Sequence, residues 1–164
     1  GQKDIKLMDP NILACPDRWK LLEQLRASGA RVDFNQGLDI RLTDRDVAEF
    51  LGNMRVKALH FAWDDPSVDL APYFEHFTEW YRRKNHRTKT VYILTNFGST
   101  HEEDLHRVYT VRRLGYEPYV MIYNKASAPA LTRRLQRWCN NKIDFGAEPD
   151  FLKYDTKTKG RTKQ

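Results

Sequence analysis

Two stretches decide the fold: Ile5-Lys-Leu-Met-Asp-Pro-Asn-Ile-Leu-Ala14 and Val32-Asp-Phe-Asn-Gln-Gly-Leu-Asp-Ile-Arg41. Each is a short apolar run ending in Asp, Asn, Gln and Gly just before helical signals begin. A parallel strand delivers polar side chains to one rim of an α/β sheet in this way. The pattern recurs at Ala58-Leu-His-Phe-Ala-Trp-Asp-Asp65, Thr90-Val-Tyr-Ile-Leu-Thr-Asn96 and Pro118-Tyr-Val-Met-Ile-Tyr-Asn-Lys125. These runs are rich in β-branched and aromatic residues and the segments between them have helical periodicity, so alternating βα units are predicted rather than hairpins. The fold class is therefore α/β, an open parallel sheet or partial barrel, with a ligand site on its rim.

The intervening helices carry their own boundaries. Trp19, Leu22, Leu25 and Arg26 follow a start at Pro16-Asp17 and stop at Gly29, while Thr43 and Asp46 are read as caps of Val47-Ala48 and Phe50-Leu51. Leu70, Tyr73, Phe74, Phe77, Trp80 and Tyr81 repeat at helical spacing and run into the basic loop Arg82–Arg87. Thr100-His-Glu-Glu103 is a capping box for a helix reaching Gly115, and Ala130–Trp138 is a last amphipathic helix.

A chain of 164 residues can bury about 70% of its unfolded surface and suits one domain, set here at residues 1–150. Residues 151–164 are read as a basic, disordered tail, because 155–164 lack apolar residues. No apolar run approaches the roughly 20 residues of a membrane span, and the first residues are not a signal peptide, so a cytoplasmic protein is expected. Cys15 and Cys139 fit neither a metal knuckle nor a disulfide scaffold and are read as reduced, mostly buried thiols. The chain begins at Gly1 and enters a strand almost at once, which predicts a piece of a longer protein.

Asp-Pro-Asn-Ile-Leu-Ala (9–14), Asp-Phe-Asn-Gln-Gly-Leu-Asp-Ile-Arg (33–41), His-Phe-Ala-Trp-Asp (60–64), Tyr-Ile-Leu-Thr-Asn-Phe (92–97) and Leu-Thr-Arg-Arg-Leu-Gln-Arg-Trp (131–138) together resemble the C-terminal half of a radical SAM protein. The likeness is to bacterial and phage-borne members and runs from about Ile5 to Ile143, with Asn-Gln-Gly-Leu-Asp its most specific piece. It implies a TIM-like (β/α)6 partial barrel of which this chain supplies the second to sixth strands. The first βα unit and its C-x-x-x-C-x-x-C loop for a [4Fe-4S] cluster are missing. The parent protein would use the cluster and S-adenosylmethionine; two separated cysteines cannot replace three, so the isolated chain is expected to be inactive and to hold neither cofactor tightly. No residue here is assigned a catalytic or metal-ligating role.

The resemblance also distributes binding roles along the rim. Asp9 and Asn11 stand where the family meets the methionyl amino group, and a carboxylate beside an ammonium makes a strong charge-assisted bond. The alternative for Asp9 is a turn cap. Asn35, Gln36 and Asp39 offer groups to the methionyl carboxylate or the ribose, or else stabilise their own loop. Asp64 is placed on the ribose, with only one of Asp64 and Asp65 facing the cavity. Thr95 and Asn96 are placed beside the adenine. Arg41, Trp63, Tyr123, Asn124 and Lys125 are candidate substrate contacts, Arg41 being equally readable as a surface partner of Asp39. His60 is read as a core histidine, and Tyr119 and Val120 as core packing.

Two further readings remain, the first supported by a net charge of +6 and the second by the missing cysteine triad. One is a nucleic-acid or nucleotide-binding module using Arg82, Arg83, Lys84, His86, Arg87 and Lys89, and Arg133, Arg134 and Arg137, beside Trp80, Tyr81 and Trp138. The other is a degenerate-barrel scaffold. Expected partners are the missing N-terminal half, or a second copy paired through the edge that a missing first strand would cover.

Overall fold

In the computed structural model, residues 2–82 and 89–154 are described. Strands β1 (Asp4–Leu7), β2 (Arg31–Leu38), β3 (Val56–Trp63), β4 (Lys89–Thr95) and β5 (Glu117–Ile122) form one parallel sheet in the order β1-β2-β3-β4-β5. The helices are α1 (Arg18–Ala27), α2 (Arg45–Asn53), α3 (Ala71–Trp80), α4 (His101–Arg113), α5 (Ala130–Asn140) and α6 (Lys142–Ala147).

The order has a geometric consequence. Each crossover steps to the next strand in the same direction, and right-handed crossovers then place all the connecting helices on one face. Burial follows suit: Val32, Phe34, Leu59, Phe61, Trp63, Val91, Ile93 and Val120 are buried beneath the helices, whereas the alternate positions are only half-buried or exposed. The result is a singly wound α/β sheet with an open inner face, compatible with part of a barrel.

Aromatic rings dominate the covered side. Phe61 meets Phe74, Phe77 and Tyr116 at centroid distances of 5.2–6.0 Å, and Trp138 is packed by Tyr109, Phe145 and Phe151. The capping box at Thr100 forms as expected, with both reciprocal bonds present. At α2 the cap is Asp44, which accepts from the Val47 amide at 2.9 Å, instead of Thr43 or Asp46. Thr43 donates to the Ile40 carbonyl, which turns its hydroxyl away from the helix.

The boundary after residue 150 falls too early. Phe151 and Tyr154 are buried, the Phe151 amide donates to the Tyr109 hydroxyl, and Arg134 lies over the Phe151 ring and bonds the Tyr154 carbonyl. Two aromatic residues outweigh the polarity around them, since Phe151 completes the Trp138 cluster and the Tyr154 hydroxyl donates to the Asp144 carboxylate at 3.1 Å. Residues 155–164, and the basic candidates Arg83, Lys84, His86 and Arg87, lie outside the described residues.

Candidate functional site

The carboxyl ends of all five parallel strands meet one rim. Strand β2 reaches it through an irregularity: Phe34 is level with Leu59 but Leu38 with Phe61, so two extra residues bulge at Asn35-Gln36-Gly37. Gly37 has φ +94°, a conformation that costs glycine little. The bulge re-aims Asn35 and Gln36, which together with Asp64 line a cavity of about 1310 Å³ that extends over the inner face past His60, Tyr92, Leu94 and Tyr119.

Other rim residues are joined by a chain of local bonds. Asp9 Oδ1 accepts from the Asn11 amide at 3.0 Å, and Asn11 Oδ1 accepts from the Asp39 amide at 3.5 Å. The Asp39 carboxylate accepts from the Arg41 amide and, bidentately, from its guanidinium at 2.9 and 2.7 Å. Those bonds lower the Asp39 pKa, the side-chain bond to Arg41 being the largest cause. Arg41 is thus the surface partner of Asp39, and Asp39 is committed to its own loop. Asp9 keeps its second carboxylate oxygen outside this network.

Asp64 and Asp65 diverge, as adjacent extended residues must. Asp64 faces the cavity, and desolvation raises its pKa against the opposing Arg107 charge and the Leu94 amide. Asp65 instead accepts from the Ser67 amide and hydroxyl, and those bonds lower its pKa.

Trp63 does not reach the cavity. It is 2% exposed on the helix side, tilted against Phe74 at 5.9 Å, and its indole donates to the Val68 carbonyl. Thr95 is fully buried on the same side and donates to the Met121 carbonyl. Asn96, at φ 61°, donates to the Tyr123 carbonyl at 2.9 Å, joining the loops after β4 and β5. The following rings, Phe97 and Tyr123, are each 53% exposed and stand 4.8 Å apart on the rim. Asn124 is left-handed at φ 46°, and Lys125 is exposed.

Several positions on the inner face and beneath the rim escaped sequence reasoning. Asp33, His60, Tyr92 and Tyr119 project onto the inner face as a contiguous row, and His60 and Tyr119 are therefore not core residues. Tyr119 is 45% exposed. Burial lowers the His60 pKa while Asp33 opposes the shift, and burial raises that of Tyr92. Beneath the rim, the buried Arg107 guanidinium donates to the carbonyls of Trp63 at 2.7 Å, Asp64 at 3.2 Å and Leu94 at 2.9 Å, and pairs with Asp104 at 2.6 Å. It ties the ends of β3 and β4 to α4.

The cysteines do not assemble a cluster site. Cys139 lies beneath β5 with Sγ 3.4 Å from the Pro118 carbonyl, and burial raises its pKa to about 12; Cys15 precedes α1. Among the described residues no group of three metal-ligating side chains exists. Of the rings offered for base stacking, Trp138 and Tyr81 are buried in the core, and Arg133 and Arg134 are bonded to the carbonyls of Ala128 and of Phe151 and Tyr154. No helix of the described residues is long and apolar enough to cross a membrane.

Comparisons with protein-family models, with curated proteins and with solved structures find no match to this chain.

Proposed function

We propose that the chain is the greater part of a radical SAM core, whose rim holds S-adenosylmethionine. The observation that carries this reading is the joint placement of Asn35, Gln36 and Asp64 at the carboxyl ends of adjacent strands in a singly wound parallel sheet. Ligands of α/β sheets collect at that end.

The residues present fit the nucleoside and amino-acid parts of the cofactor, but they do not fit a [4Fe-4S] cluster. Asp64 offers a carboxylate to a ribose hydroxyl pair, Asn35 and Gln36 offer amides to a carboxylate, and Asp9, exposed on the neighbouring strand end, has a carboxylate oxygen to offer an ammonium. Phe97 and Tyr123 supply exposed aromatic surface where adenine would lie. Asp39, Trp63 and Thr95 take no direct part. Radical formation needs three thiolates on one loop, so it belongs to a segment outside this chain and no step of it is assigned to these residues.

Calorimetric titration of S-adenosylmethionine into the chain tests the reading. Weak but saturable binding, lowered about tenfold further in Asp64→Asn, is expected, one charge-assisted bond being lost. Absence of binding, or binding indifferent to Asp64, contradicts it. Anaerobic treatment with iron and sulfide should leave the chain colourless, and a stoichiometric cluster absorbance would contradict the assignment of the cysteines.

A further inference from the structure

The inner face is chemically unlike the interior of an all-parallel sheet, which is normally apolar on both sides. Each strand contributes one titratable side chain to a belt across it: Lys6 from β1, Asp33 from β2, His60 from β3, Tyr92 from β4 and Tyr119 from β5. Lys6 is level with Asp33, and Tyr92 with Tyr119. His60 Nε2 lies 3.4 Å from Asp33 Oδ1, its ring stacks on Tyr92 at 5.3 Å, and Tyr92 meets Tyr119 edge-on at 5.8 Å. The large cavity opens directly over His60, Tyr92 and Tyr119.

We propose that this belt binds a planar, positively charged group rich in N–H donors, of the amidinium or guanidinium class. The belt's hydrogen-bonding surplus is in acceptors. His60 Nδ1 is buried without a hydrogen-bond partner within the protein, and the buried Asp33 Oδ1 has only the His60 Nε2 contact at 3.4 Å, a costly condition that a donor-rich ligand relieves. If Nε2 carries the imidazole proton toward Asp33, Nδ1 presents a lone pair.

The rings complete the match. Tyr92 and Tyr119 offer π surface to a flat cation, a favourable contact where water is partly excluded. Asp64 adds a second carboxylate at the rim of the same cavity. Lys6 stands level with Asp33 on the neighbouring strand but is exposed, so water and salt screen its charge more than that of the half-buried Asp33. An anionic ligand would meet Asp33 and Asp64 with like charge, which selects against it. This proposal does not rest on the cofactor reading, although both ligands would share the cavity that Asp64 borders.

The experiment is a titration of benzamidinium into the full chain near neutral pH, followed by NMR of the His60 imidazole and the tyrosine rings. Benzoate, of the same shape and opposite charge, is the control. The expected result is a saturable shift of His60 and Tyr92 with benzamidinium only, weakened by about tenfold in Asp33→Asn through loss of a charge-assisted bond. No saturable shift, an equal response to benzoate, or unchanged affinity in Asp33→Asn overturns the proposal. If circular dichroism shows that Asp33→Asn disturbs the fold, Tyr119→Ala at its exposed position replaces it; severalfold weaker binding is expected, and unchanged binding overturns the assignment.

Discussion

His60 Nε2 on β3 lies 3.4 Å from Asp33 Oδ1 on β2, so two groups from neighbouring strands share one titratable contact on the open side of the sheet. Burial lowers the His60 pKa, and Asp33 only partly offsets this. The folded pKa is therefore below the unfolded value of about 6.5, and the unfolded chain takes up the proton first. Stability is full above the unfolded value and falls as pH drops toward the folded one, with Lys6, Asp33 and Tyr92 as the charged or polar neighbours. Urea midpoints measured from about pH 7.5 down to about pH 5 should decline less steeply in His60→Gln than in the unaltered chain. An equally steep decline would remove His60 from this account.

Arg107 governs the geometry of the rim from below. Arg107→Met leaves Asp104 charged in the core and three strand-end carbonyls without their donor, which should cost about 3–5 kcal/mol in chemical denaturation. Arg107→Met combined with Asp104→Leu should recover part of that loss, since no uncompensated charge remains. A double variant no more stable than the single one would show that the carbonyl bonds, and not the stranded carboxylate, dominate.

The two edges of the sheet are treated differently. On β5 the Asn140 carboxamide accepts from the Val120 amide at 2.8 Å and donates to its carbonyl at 2.9 Å, with Gln136 adding a bond at 3.0 Å, so α5 imitates a further strand. Strand β1 ends the sheet on the other side with no strand beyond it among the described residues. Asn140→Ala should destabilise by about 1–3 kcal/mol through the unpaired Val120 amide. Light scattering at micromolar concentration should show a dimer of the unaltered chain through β1, dispersed by Ile5→Lys; a dimer indifferent to that substitution would place the contact elsewhere.

Phe151→Ala should cost about 3–5 kcal/mol, because the ring is buried against Trp138 and beneath Arg134. Thermal unfolding checks this. A change within a few tenths of a kcal/mol would restore the domain boundary to residue 150.

Much of the fold was legible. Strand and helix order followed from apolar runs separated by capping signals, and the Thr100 box marked α4 without ambiguity. The inner belt was not, although its signal lies in the strands: Lys57, Ala58, His60 and Ala62 alternate with Val56, Leu59, Phe61 and Trp63, imperfectly, as on a sheet with one open face. His, Tyr and Thr are common in cores, so residue type masked their orientation. Asp104 and Arg107 display pair spacing but not burial, which depends on the strand ends they meet. Trp63 shows the reverse case, a rim position by sequence whose parity turns it toward the helices.

Residue-resolved NMR of the chain titrated with S-adenosylmethionine tests the central claim most directly. The account predicts saturable shifts at the Asn35, Gln36, Gly37 and Asp64 amides, at the carboxyl ends of β2 and β3. Shifts confined to the opposite end of the sheet, around Lys89 and Glu117, or no saturable shift at all, would contradict it.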